Sequence, residues 1–238
     1  MAQYDTIRTV GVAQAAQIDE GLRAHMTKVY GLMSVAMVLT GGVAWAVGTN
    51  DAMLAAIFAT PVKWLVMFAP LIMVFAFSAM INRLSYAAAQ LFFYVFAAVM
   101  GLSISYIFAV YTGTSIAQTF LVTAIAFAGL SLYGYTTKKD LSGMGTFLMM
   151  GLIGLIVASI VNIFLASSAM SFAISVIGVL VFSGLIAFDT QRLKFDYYQL
   201  QGDGAAMSVA TSWGALSLYL NFINLFQFLM SFLGQREE

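Results

Sequence analysis

The sequence predicts an all-α polytopic membrane protein with seven transmembrane helices. Three observations carry that expectation. Hydrophobic residues make up 62% of the 238 residues and charged residues only 8%, against roughly 25% charged in a soluble domain. The apolar residues gather in seven runs, each near the ~20 residues needed to cross a bilayer. Nearly all the charge lies between or outside those runs.

The first 28 residues hold Asp5, Arg8, Asp19, Glu20, Arg23 and Lys28 without an apolar core. That pattern does not fit a cleavable signal peptide. The expected organisation is an N-terminal tail over 1–28 and a single membrane domain over 29–238. The spans are expected near Val29–Val47, Val62–Met80, Ala87–Tyr111, Ile116–Tyr135, Thr146–Phe164, Phe172–Phe188 and Trp213–Leu233. Short polar breaks separate most of them, such as Asn82-Arg83-Leu84-Ser85 and Thr112-Gly113-Thr114-Ser115. The sixth helix is expected to continue beyond the hydrocarbon to about Leu200, because Gly202 and Gly204 supply its stop. Asp189 then lies within a helix.

Orientation follows from the basic residues. The N-terminal side carries Arg8, Arg23, Lys28, Arg83, Lys138, Lys139, Arg192 and Lys194; the opposite side carries Lys63 and Arg236. This eight-to-two bias places the N-terminus in the cytoplasm and the C-terminus outside. The last span contains no lysine, so a retinal Schiff base has no place there. The chain has no cysteine and one histidine, His25, which excludes disulfides, thiolate catalysis and bis-His haem. A net charge of zero provides no field to attract nucleic acid. His25 reads as a solvated residue just before the first span.

An ionisable side chain at membrane depth is costly and usually functional. Of the ten acids, only Asp189 directly abuts a spanning run. It can face the bundle, or sit at headgroup level paired with Arg192. In the last span Ser217, Asn221, Asn224 and Gln227 recur at spacings of four, three and three, which puts them near one helical face. Asn221 lies about 12 Å past Trp213 at 1.5 Å per residue. Amides facing lipid would be left unsatisfied, so this face points inward. It serves either as hydrogen-bonded packing or as the lining of a path. Asn162 reads as packing, as do the small residues Ala97, Gly101, Gly151, Gly154, Gly178 and Gly184, which let helices approach closely.

Four stretches, taken in order, carry a resemblance. They are Ser131 to Ser142, Ala158 to Phe164, Gly184 to Lys194 around Phe188-Asp189-Thr190-Gln191, and Ala215 to Phe226 with Leu218-Tyr219-Leu220-Asn221. Together they resemble the Bax inhibitor-1, or transmembrane Bax inhibitor motif, family and its bacterial branch. The resemblance implies six outer helices around a central seventh. It implies a calcium-permeable leak of the cell membrane whose state depends on pH. It also implies a sensing pair of aspartates on the sixth and seventh helices, with a basic gate residue at the inner end of the second. The first aspartate matches Asp189 and the basic residue matches Arg83. The second falls on Asn221, where this chain departs from the pattern.

An aspartate pair shares one proton because adjacent anions repel, and its titration is coupled. An Asp–Asn pair keeps the shape and loses one titrating group. The expected consequences are a shallower pH response and weaker attraction for calcium, which favours several carboxylate and carbonyl oxygens. Asp189 remains the one acid that can meet the ion. No resident cofactor and no enzymatic activity are expected. The expected partners are the lipid bilayer and calcium ions. The alternative is an interaction protein that regulates another membrane protein, such as a protease or an apoptosis-type regulator.

Overall fold

The computed structural model describes the backbone of residues 2–236 and the side-chain surroundings of residues 18–236. The expected charges at Asp5, Arg8, Glu237 and Glu238 lie outside the described side chains. Among the described residues the fold is helical, and seven helices are long and apolar enough to cross a membrane. The chain is a multi-pass membrane protein.

Helix α1 (Ala2–Gly48) runs without a break through residue 28, where hydropathy places the start of the first span. The reason is a stripe. Leu22, His25, Met26, Val29, Met33, Ala36, Thr40, Ala44 and Val47 are buried at the three- and four-residue steps of one helical face. Arg23, Ala24, Thr27 and Lys28 face away. Mean hydropathy hides such a stripe, so the spanning stretch reaches back to Ile18.

A short helix α2 (Asp51–Phe58) follows, between the first two expected spans. Asn50 caps it by accepting from the Met53 amide at 3.0 Å, and Asp51 complements the positive end of the helix dipole. Helix α3 (Val62–Met80) contains a buried Pro70. Proline cannot donate to the carbonyl four residues earlier, which frees Val66. Ser103 of α4 (Tyr86–Ile104) donates its hydroxyl to that carbonyl. A break in the ladder at membrane depth is thus satisfied by the neighbouring helix.

The expected third span is interrupted. Helix α4 stops at Ile104, and α5 (Ile107–Val110) resumes after a bend at Ser105 and Tyr106. Helix α6 (Gly113–Thr136) starts on a Thr112 cap. Helix α7 (Ser142–Leu165) ends at Ala166, which takes φ 47°. Asn162 pins that turn. Its side-chain oxygen accepts from the Ser167 amide at 3.1 Å, and its Nδ2 donates to Ser171 Oγ at 2.7 Å.

Helix α8 (Ser168–Gln199) has 32 residues, about 48 Å at 1.5 Å per residue. That exceeds the ~30 Å hydrocarbon layer, and its end at Leu200 matches the expected extension. Gly202 (φ +92°) makes the turn into α9 (Gly204–Leu233), which Asp203 caps by accepting from the Ala205 and Ala206 amides.

Helix α9 is the most enclosed span. Of its apolar window 56% is buried, against 11% for α7. It packs on α1, α4, α6 and α8. Tyr219, fully buried, bonds Thr40 Oγ1 at 2.6 Å, and Thr40 donates to the Ala97 carbonyl at 2.8 Å, tying α9, α1 and α4 together. Gly101 allows that closeness, since a Cβ there would press on the Thr40 carbonyl oxygen and Val43. Gly178 makes room for Phe228 in the same way, whereas Gly154 faces open space. Large apolar side chains such as Val38, Phe75, Ile163 and Phe164 point outward, toward lipid.

Candidate functional site

Asp189 is buried, with 9% of its surface exposed, and its side chain faces α9. Its Oδ2 accepts from Ser217 Oγ at 2.5 Å and from Asn221 Nδ2 at 2.7 Å. The packing of α8 on α9 places these groups, and the four-residue step between Ser217 and Asn221 aims both at one oxygen. A carboxylate only accepts, while a hydroxyl and an amide both donate, so the set is matched. Arg192 pairs with Asp196 at 3.8 Å rather than with Asp189. The headgroup pairing of Asp189 with Arg192 is therefore set aside by the geometry.

The rest of the polar face of α9 turns elsewhere. Asn224 donates to the Leu220 carbonyl of its own helix at 2.8 Å. Asn224 and Gln227 line a cavity of about 330 Å³ at the end of the bundle away from the N-terminus of α1. Tyr106, Asn162, Ser175 and Ser231 share that lining. A space of about 10 Å³ lies among Asp189, Arg192, Asp196, Trp213 and Ser217. Asn224 is only about 4.5 Å of helical rise from Asn221. Asp189 and Ser217 thus line the smaller space, and the larger cavity begins about one helical turn past Asn221 along α9, at Asn224.

Arg83 lies exposed in the turn Ile81–Arg83 and, among the described residues, forms no ion pair. One expectation needs correction. His25 is not solvated. It is 6% exposed, its Nδ1 lies 3.4 Å from Thr211 Oγ1, its ring meets Tyr197 at 5.5 Å, and its Nε2 is buried without a partner. The stripe that carries α1 back to Ile18 buries it.

Two neighbours of Asp189 were missed by sequence reasoning. Thr190 approaches Ser131 of α6 at 3.4 Å. Gln191 donates to the Lys139 carbonyl at 2.8 Å and accepts from the Leu141 amide at 2.8 Å. It thereby clamps the turn between α6 and α7. A buried glutamine beside a marked aspartate, just past an apolar run, was the available signal. In that same turn Asp140 accepts from the Ser142 amide at 2.8 Å. The Ser142 hydroxyl and amide hold the exposed Asp140 carboxyl below the usual carboxylate range. Among the described residues no three His, Cys, Asp or Glu side chains gather as a metal site.

Fold and site define a seven-span helical membrane protein with an acid–amide pair between its last two spans. The chain belongs to the Bax inhibitor-1 family: the family model described as "Inhibitor of apoptosis-promoting Bax1" matches residues 22–238. It is 52% identical over 231 residues to a Caulobacter vibrioides protein, covering 93% of this chain and 92% of the relative. It is 45% identical over 218 residues to the inner membrane protein YbhL of Escherichia coli K12, covering 91% and 93%. A membrane protein of Streptococcus pyogenes is 36% identical over 227 residues, covering 93% and 96%.

Proposed function

We propose that this chain is a passive, pH-modulated cation leak of the inner membrane, with calcium as the ion and the Asp189–Asn221 pair as its latch. One observation carries the reading. A buried carboxylate, held across α8 and α9 by two donors, lines a space of about 10 Å³, and about one helical turn past Asn221 along α9, Asn224 lines a polar cavity of about 330 Å³. A cation path needs polar lining on both sides of a closure that can part.

The donor set suits passage rather than storage. Calcium takes six to eight oxygens in a tight site, and Asp189 with one hydroxyl and one amide oxygen supplies fewer. On this reading α9 is the central helix and the N-terminus is cytoplasmic, as the eight-to-two basic bias requires. The protein needs no resident cofactor and performs no enzymatic reaction.

The test is calcium flux into dye-loaded liposomes carrying the purified protein, from pH 5 to 8. Flux that Asp189→Ala alters in rate or pH dependence, in protein that still folds, supports the leak. No flux, with another membrane protein co-purifying, supports the interaction protein instead.

A further inference from the structure

Helices α1 and α6 leave a groove between them at the end of the bundle where α1 enters and α6 leaves the membrane. Its volume is about 590 Å³. The two helices meet there through the edge-on contact of Tyr30 with Phe127, ring centres 6.4 Å apart. Met26, Ala128 and Leu132 form the rest of its apolar wall. Leu132 is 63% exposed and Ala128 is open to the outside, so the groove faces the bilayer.

The head of the groove is lined by one base, Arg23, and a second base, Lys194, stands against its Tyr135 rim. Arg23 lies at its rim, exposed and, among the described residues, without an ion pair. Tyr135 forms the opposite rim, and Lys194 is fixed beside it. Lys194 Nζ donates to the Tyr135 carbonyl at 3.1 Å and sits 5.6 Å from the Tyr135 ring centre. Asp19 and Glu20 lie about a turn further out along α1, roughly 5 Å from the level of Arg23.

Depth agrees on both helices. Arg23 to Tyr30 is about 10 Å of rise, and Tyr135 to Phe127 about 12 Å. A basic, hydroxyl-bearing rim at the interface thus leads into an apolar trough that runs along the membrane normal. Basic pockets between transmembrane helices are the setting in which anionic lipid headgroups are recognised.

We propose that this groove binds one anionic glycerophospholipid of the surrounding bilayer. Its phosphate lies between Arg23 and Lys194, and one acyl chain lies along Tyr30 and Phe127. The site is separate from the Asp189 pair and does not rest on the leak reading.

The test uses full-length protein in phosphatidylcholine vesicles, with spin-labelled phosphatidylglycerol or spin-labelled phosphatidylcholine as the probe. The protein-immobilised fraction is read by electron spin resonance. Wild type immobilises the phosphatidylglycerol probe preferentially. Each basic residue near the surface contributes roughly a fivefold preference, so Arg23→Gln lowers the preference about fivefold. Ala128→Phe fills the groove from its open side and removes the preferential component. Both positions are exposed, and thermal melting verifies that the variants fold. Equal immobilisation of the two probes by wild type overturns the proposal. So does a preference that Arg23→Gln leaves unchanged. A preference that falls in Arg23→Gln but survives in Ala128→Phe also overturns it, since that marks diffuse surface attraction without a groove.

Discussion

Replacing Asn221 with leucine removes the 2.7 Å bond to Asp189 at nearly constant volume. Ser217 remains as a single donor on the same oxygen. A hydrogen bond to a charged group contributes about 1.5–3 kcal/mol, while side-chain bonds between membrane helices average about 0.6 kcal/mol. If the bond holds the latch shut, that whole difference enters the closed-to-open ratio. At about 1.4 kcal/mol per tenfold, the leak should rise by about 3-fold at the lower bound and about 150-fold at the upper. The measurement is the initial rate of calcium entry into dye-loaded liposomes at pH 7, with equal amounts of folded protein verified by melting. A rate within twofold of wild type, from an equally stable variant, would refute the idea that this bond is the latch.

Three further outcomes follow from the same geometry. Asn221→Asp introduces a second carboxylate against Asp189, and coupled titration should make calcium flux depend more steeply on pH; identical profiles for the two proteins from pH 5 to 8 would rule this out. Asp140→Asn should leave that profile unchanged. The Asp140 carboxyl is held low by Ser142, so it stays ionised above the usual carboxylate range and loses its cap only as pH falls below that range; a shifted flux midpoint in the variant would contradict this. Ser103→Ala should cost about 1–3 kcal/mol, because the Val66 carbonyl loses its donor. Pro70→Ala in the same chain should recover much of that by restoring the helical bond, so a thermal double-mutant cycle with no coupling would refute the account.

The architecture was legible because lipid leaves so few solutions. Seven apolar runs gave seven spans, and the Gly202 stop gave the long α8. What hydropathy missed shares one cause: it averages over a helical turn. The α1 stripe from Leu22 to Val29 mixes buried apolar residues with exposed Arg23 and Lys28, so the average placed the boundary at 28 and left His25 in water. The Ser105–Tyr106 bend and the short α2 lie within apolar sequence and change no average. At the site, Asp189 stood out as a charge beside a span and the resemblance paired it with Asn221, while Ser217 was legible only as part of the inward polar face. Gln191 went unread because its partners are backbone groups some 50 residues away, which no local pattern reveals.

At one level of α8, three successive side chains reach three different neighbours. Asp189 goes to α9, Thr190 toward α6, and Gln191 to the turn before α7. Rotating or sliding α8 to release the first bond would strain the other two. The helix is thereby held in three directions at the level of the acid. Small rearrangements in the α6–α7 turn, reached through Gln191, then have a direct mechanical line to Asp189.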